Sequence, residues 1–136
     1  MTLIDTGPLV ALVDRDDPAH AACVDVARVQ PASPLVTTWP CFTEAMYLLG
    51  KVIGFRGQSE LWAFRTTGWL EILDLKPSDV DRMIQLMEKY KDTPMDLADA
   101  SIVAVADRLG QKRVFTLDSD FRVYRLSDGS AFEIIP

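Results

Sequence analysis

The stretch Pro94-Met95-Asp96-Leu97-Ala98-Asp99-Ala100-Ser101-Ile102-Val103-Ala104-Val105-Ala106 is the one around which the chain is organised. With Ile102, Val103, Val105 and Leu109 leaving little polar surface, it predicts a helix buried on most sides. Its opening turns nevertheless carry Asp96 and Asp99, three residues apart, so both carboxylates can point from one helix face. An unpaired buried carboxylate costs several kcal/mol or more, and proteins escape that by pairing it, protonating it or coordinating a metal with it. The nearest cation along the helix, Arg108, is more than two turns away. Asp96 also suits an N-cap and Asp99 the capping-box position, although Glu or Gln is more usual there. Capping and metal ligation both remain open for these two acids on the local sequence.

Toward the N-terminus, Ser78 to Tyr90 places Val80, Met83, Ile84 and Met87 at helical spacing and predicts an amphipathic helix, preceded by a strand from Trp69 to Leu73. Gly54 to Gly57, with Arg56, reads as a loop before a helix from about Ser59 to Thr66, where Trp62 and Phe64 imply core or a dimer face. Leu35-Val36-Thr37 is a strand, and a helix from Pro40 to Val52 follows, started by Thr38 or Trp39. Glu44 falls in the first half of that helix among Phe42, Ala45, Met46, Leu48 and Leu49, either as an acid set in apolar company or as an exposed Glu favoured by the helix dipole. Pro31 to Pro34 breaks a helix running from Pro18 to Val29. The lone His20 on that helix has no serine or cysteine partner motif and reads as surface or structural. Thr2 to Asp5 is a short buried strand, after which Thr6-Gly7-Pro8 opens a helix through Leu12 with Thr6 or Gly7 as its cap. Beyond the apolar helix, Gly110 ends it, Val114 to Leu117 is a strand closing on Asp118-Ser119-Asp120, and Phe132 to Ile135 is a last, edge-like strand.

Short apolar strands alternating with helices imply a parallel α/β sheet covered by helices on both faces, and the 136 residues read as a single domain, 1–136. In such sheets the site lies outside the carboxyl ends of the strands. Asp5 and Asp118 occupy strand ends, while Glu44 and Asp99 lie in helical turns that can face the same crevice.

Composition narrows the function. The start lacks the basic residues and long apolar run of a signal peptide, and no stretch reaches ~18 apolar residues, which predicts a soluble, cytoplasmic protein. Cys23 and Cys41 form neither a disulfide framework nor, with one histidine, a zinc site, and read as buried thiols. A net charge of −6 argues against holding nucleic acid on a broad basic face.

Four converging carboxylates raise one another's pKa unless a counter-charge is present, and a divalent cation supplies one. An all-oxygen donor set selects magnesium or manganese over zinc, and such ions recruit phosphate oxygens from substrates. That is apparatus for phosphodiester hydrolysis. Without Asp5, Glu44, Asp99 and Asp118 the remaining charge is −2, leaving Arg56, Arg65, Arg108, Lys112, Arg113, Arg122 and Arg125 to hold phosphates.

Leu3-Ile4-Asp5-Thr6-Gly7-Pro8, Thr43-Glu44-Ala45, Ala98-Asp99-Ala100-Ser101-Ile102-Val103-Ala104 and Thr116-Leu117-Asp118-Ser119-Asp120-Phe121 together resemble the PIN-domain ribonucleases, in particular the VapC-type toxins of toxin-antitoxin pairs. In order and spacing these motifs cover nearly the whole chain. The resemblance implies a three-layer α/β/α fold, metal-dependent endonuclease action on RNA, a homodimer, and inhibition by a small antitoxin protein. By position, Asp5, Glu44, Asp99 and Asp118 match the family's acidic quartet, with Asp96 and Asp120 where accessory acids are often seen.

Other classes fit less well. Asp5-Thr6-Gly7 matches the aspartic-protease triplet, but those enzymes are mostly β and this triplet leads into a helix. A phospho-acceptor receiver domain requires a Lys at the end of a late strand, whereas Lys112 precedes its strand. The alternative of substance is a PIN scaffold that binds a partner without catalysis.

Overall fold

The computed structural model describes residues 1–29 and 34–136. In chain order the elements are β1 (Thr2–Ile4), α1 (Thr6–Val13), α2 (His20–Val29), β2 (Leu35–Thr38), α3 (Trp39–Val52), α4 (Phe55–Thr66), β3 (Leu70–Leu73), α5 (Pro77–Lys89), α6 (Leu97–Leu109), β4 (Arg113–Phe115), a 3-10 turn (Ser119–Arg122) and β5 (Glu133–Ile135). The five strands form one sheet in the order β3-β2-β1-β4-β5, and every pairing is parallel.

Alternation along the strands creates the layers, because successive side chains leave opposite faces of a sheet. Leu3, Val36 and Val114 point to one face and pack with α5, α6 and the aromatic side chains of Phe121 and Tyr124. Their neighbours Ile4, Leu35 and Phe115 point to the other and pack with α1, α3 and α4. The result is the expected α/β/α sandwich.

Strand order places the crevice. From β1 the chain moves outward to β2 and β3, then returns across the sheet through α5 and α6 to place β4 on the other side of β1. The winding therefore reverses between β1 and β4, the kind of switch point where doubly wound sheets open a binding crevice. The residues just beyond those two strands are Asp5 and, past Thr116 and Leu117, Asp118.

Helix α6 is buried from Ala98 through Ala106, as its composition predicts, and its small residues let it lie close against the sheet. Arg108 Nε donates to both carboxylate oxygens of the buried Asp79 at 2.9 and 3.0 Å, locking α6 to α5. The same contact removes Arg108 from the cations expected to hold phosphates.

Several boundaries differ from the sequence reading for identifiable reasons. The cap of α1 is Asp5 rather than Thr6 or Gly7: its extended backbone lets Oδ1 accept the Thr6 N–H at 2.8 Å. Pro18 precedes α2 instead of opening it, because the Asp17 carboxylate accepts the Ala19 N–H and holds a turn. His20 Nδ1 lies 2.6 Å from the Ala11 carbonyl, a structural contact between helices. The loop expected at Gly54 to Gly57 is helical from Phe55 onward; Gly54, with φ of 90°, alone makes the corner. Strand β4 stops at Phe115 because the Thr116 hydroxyl accepts the Asp118 N–H and turns the chain. The break at Pro31 to Pro34 falls on residues that lie, except for Pro34, outside the described part of the chain.

Candidate active site

Asp5, Glu44, Asp96, Asp99 and Asp118 line one cavity of about 300 Å³ at the switch point, walled by Leu48 and Leu117. Four elements far apart in sequence bring them there: the end of β1, the middle of α3, the start of α6 and the turn after β4. Asp120 does not line this cavity; its backbone N–H donates to Asp118 Oδ1 at 2.9 Å.

Asp5 is buried and fully engaged. Oδ1 accepts from Thr6 N at 2.8 Å and from the Cys41 thiol at 3.6 Å, and Oδ2 accepts from the Thr116 hydroxyl at 2.9 Å. Burial pushes its pKa up to about 6 against the pull of these donors, and Asp118 adds repulsion. Asp99 sits in a reciprocal capping box: its N–H donates to Asp96 Oδ1 at 2.8 Å, and its Oδ2 accepts the Asp96 N–H at 3.3 Å. The capping reading of both acids is therefore correct as geometry. It leaves Asp99 buried among acids, and burial followed by the charges of Asp5 and Asp96 raises its pKa well above the carboxylate range. Among the described residues, none of the five cavity acids has a salt-bridge partner, and Glu44 makes no side-chain hydrogen bond.

The donor set fits a hard divalent ion. The acids offer only carboxylate oxygens, and the charge of Asp118 helps raise the pKa of both Asp5 and Asp99. Among the described residues no three His, Cys, Asp or Glu side chains are grouped so as to hold a metal ion as they stand. A hard ion that keeps several of its waters needs only one or two protein carboxylates.

Two further cavities adjoin the centre. An apolar cleft of about 640 Å³ shares Glu44 and Asp96 with it and is lined by Trp39, Tyr47, Leu75 and Leu97. The Trp39 indole is fixed by its N–H donating to Asp74 at 2.9 Å. On the other side a cavity of about 200 Å³ shares Leu117 and Asp118 and contains Arg122 and Ser119. Arg122 is thus placed beside the acids. The other expected phosphate holders differ: Arg113 pairs with Glu133, Arg125 donates to the carbonyls of Arg122, Val123 and Tyr124, and Arg56 pairs with Glu60. Lys112 and Arg113 also stand at the start of β4, the end remote from Asp118.

Sequence reasoning missed Thr116, Cys41 and Tyr124 as partners of the acids. Thr116 lies within the stretch Thr116-Leu117-Asp118 but carries no charge to mark it. Cys41 reads as plain core, and only the fold shows its thiol facing Asp5. Tyr124, whose hydroxyl donates to Asp99 Oδ2 at 3.3 Å, gives no local signal.

Comparison with known proteins agrees with this architecture. The chain is 29% identical over 138 residues to Ribonuclease VapC26 of Mycobacterium tuberculosis, covering 98% of this chain and 99% of that protein. It superposes on the crystal structure of Mycobacterium tuberculosis VapC20, a sarcin-ricin loop cleaving toxin, with a TM-score of 0.86 at 19% identity, each chain covered in full (100%). It also superposes on VapBC2 from Rickettsia felis, a crystal structure bound to a DNA fragment from its promoter, with a TM-score of 0.70 at 16% identity, covering 99% of this chain and 98% of that one. At these identities the two superpositions bear on the fold alone. With the family model matching residues 2–126, the chain belongs to the PIN domain family.

Proposed function

We propose that the protein is a magnesium- or manganese-dependent endoribonuclease, the toxin of a toxin-antitoxin pair, with Asp5, Glu44, Asp99 and Asp118 as its metal-binding and catalytic acids. The observation that carries this reading is the single cavity at the switch point, lined by all four carboxylates with no cationic side chain paired to them among the described residues. Kinship to a ribonuclease over nearly the full length supports RNA as the substrate.

The residues divide the work. Asp5 is held rigid by three donors, and Asp99 is fixed by the first turn of α6, so both carboxylates of this ligand pair are set before substrate arrives. Glu44, Asp118 and the exposed Asp96 line the same cavity, and Asp120 supports Asp118 through its backbone N–H. A bound ion would supply charge neutralisation on the phosphodiester and an activated water. Arg122, in the cavity beyond Asp118, can hold a neighbouring phosphate of the strand.

The same charge arrangement favours an antitoxin that places an Arg among Asp5, Glu44 and Asp99, since a guanidinium pairs carboxylates bidentately. The apolar cleft beside Glu44 offers room for flanking hydrophobic residues. Solved toxin-antitoxin structures of the same fold support an antitoxin as partner. We also propose a homodimer. Of the two aromatics that suggest a dimer face, Phe64 is packed into the fold against Trp69 at 4.9 Å, while Trp62 stays 42% exposed; Tyr47, Val52 and Phe55 are the more exposed apolar groups of α3 and α4. A cytoplasmic location goes with this reading; among the described residues no helix is long and apolar enough to cross a membrane. Nothing in the geometry favours a non-catalytic scaffold.

Chelating the protein and adding back single metals tests the proposal. RNA cleavage should return with magnesium or manganese and not with zinc, and full cleavage in the chelator would overturn it.

A further inference from the structure

We propose that Tyr124 is a positioning residue of the acid centre, its buried hydroxyl fixing the Asp99 carboxylate so that Oδ1 is the oxygen presented to the cavity. This rests on the metal-centre reading above and adds to it a residue outside the acidic set.

Tyr124 is completely buried, and a buried phenol needs a hydrogen-bond partner. Its hydroxyl donates to Asp99 Oδ2 at 3.3 Å, and Asp99 is its sole side-chain partner among the described residues. Oδ2 also accepts the Asp96 N–H at 3.3 Å, so that oxygen is occupied twice, whereas Oδ1 accepts no hydrogen bond among the described residues. The phenol ring cannot swing away. Tyr90 meets it edge-on with centroids 5.1 Å apart, Phe121 does the same at 5.1 Å, and Phe132 backs Phe121 at 5.6 Å.

The neighbouring tyrosine does different work. The Tyr90 hydroxyl accepts the Arg125 backbone N–H at 3.1 Å and touches no acid of the cavity. Tyr124 also joins two arms of the site, because Asp118 caps the 3-10 turn that ends two residues before it. The carboxylate after β4 and the carboxylate of α6 are thereby held in one frame. Outer-shell partners of this kind orient ligands, and losing one typically weakens metal binding by about 10- to 100-fold.

The test is a manganese titration by calorimetry of wild type, Tyr124→Phe and Tyr90→Phe, with the thermal midpoint of each metal-free protein measured alongside. Both variants keep the ring and lose one hydroxyl, so a structural loss lowers both midpoints. Only Tyr124→Phe should weaken manganese binding, by about tenfold or more. Its cleavage should fall at limiting manganese and recover toward wild type at saturation. A Tyr124→Phe affinity within about twofold of wild type, well short of that loss, overturns the proposal, as does equal weakening by Tyr90→Phe. Wild-type protein that takes up no manganese fails differently: it removes the metal-centre reading itself, and this proposal with it.

Discussion

The Thr116 hydroxyl donates to Asp5 Oδ2 at 2.9 Å while accepting the Asp118 N–H at 3.0 Å, so one side chain ties together the two chain segments that leave β1 and β4. Thr116→Val keeps the shape and removes both bonds inside a buried site. Each stranded polar group costs about 1–3 kcal/mol. The urea midpoint should fall and manganese affinity should weaken, while Thr116→Ser retains most of both. A valine variant with wild-type midpoint and affinity would show that this tie carries neither.

Acid stability follows from the buried carboxylates. Asp5 rises from 3.8 to about 6 on folding, and Asp99 is raised in the same direction, so the native state binds more protons than the unfolded chain between those values. The metal-free protein is therefore most favoured at a pH below the unfolded carboxylate value as far as these groups are concerned, and loses that contribution as pH rises through about 6 and beyond. For Asp5 the loss is on the order of 3 kcal/mol. Thermal midpoints in chelator should decline from about pH 5 to about pH 8, and magnesium or manganese should reverse the decline by binding the charged form. A metal-free midpoint that climbs across that window contradicts this assignment.

An arginine delivered to the acids should silence the enzyme. In the complex with an antitoxin, substituting the arginine seated among Asp5, Glu44 and Asp99 by alanine should restore RNA cleavage, and lysine should inhibit less well because it lacks the bidentate fork. Inhibition untouched by both changes would place the block elsewhere.

Asp96 and Asp99 share a capping box but not a burial state: Asp96 is exposed, and Asp99 is buried. Asn caps a helix as well as Asp does. Asp96→Asn should keep the thermal midpoint within about two degrees, the size of a cap-neutral surface change, and should retain most cleavage. A loss of cleavage comparable to that of the buried acids would make Asp96 a ligand.

Much of this was legible in the sequence because strands and buried helices write their own periodicity. Leu3 and Ile4 alternate across the sheet, and the run from Ala98 to Ala106 has no polar face, so the layers follow from local residues. The acids were legible because carboxylates beside apolar runs conflict with burial. The partners of those acids were not. Thr116, Cys41 and Tyr124 are residues that suit a core, and their direction depends on how distant segments cross; Thr116 reaches Asp5 across 111 positions of sequence. The fate of the arginines was equally hidden, since Arg108 meets Asp79 only after α5 and α6 dock. Gly54 misled by suggesting a loop where its positive φ allows a sharp corner between two helices.

The most direct measurement is RNA cleavage by Asp99→Asn in saturating magnesium, with the thermal midpoint recorded on the metal-free protein in chelator. The asparagine amide oxygen can still accept from the Asp96 N–H and from the Tyr124 hydroxyl, so the helix start and the aromatic wall survive, while one negative charge leaves the cavity. If Asp99 is a metal ligand, cleavage collapses and the midpoint holds or rises as repulsion with Asp5 and Asp96 is relieved. Wild-type cleavage by this variant would contradict a metal centre built on Asp99.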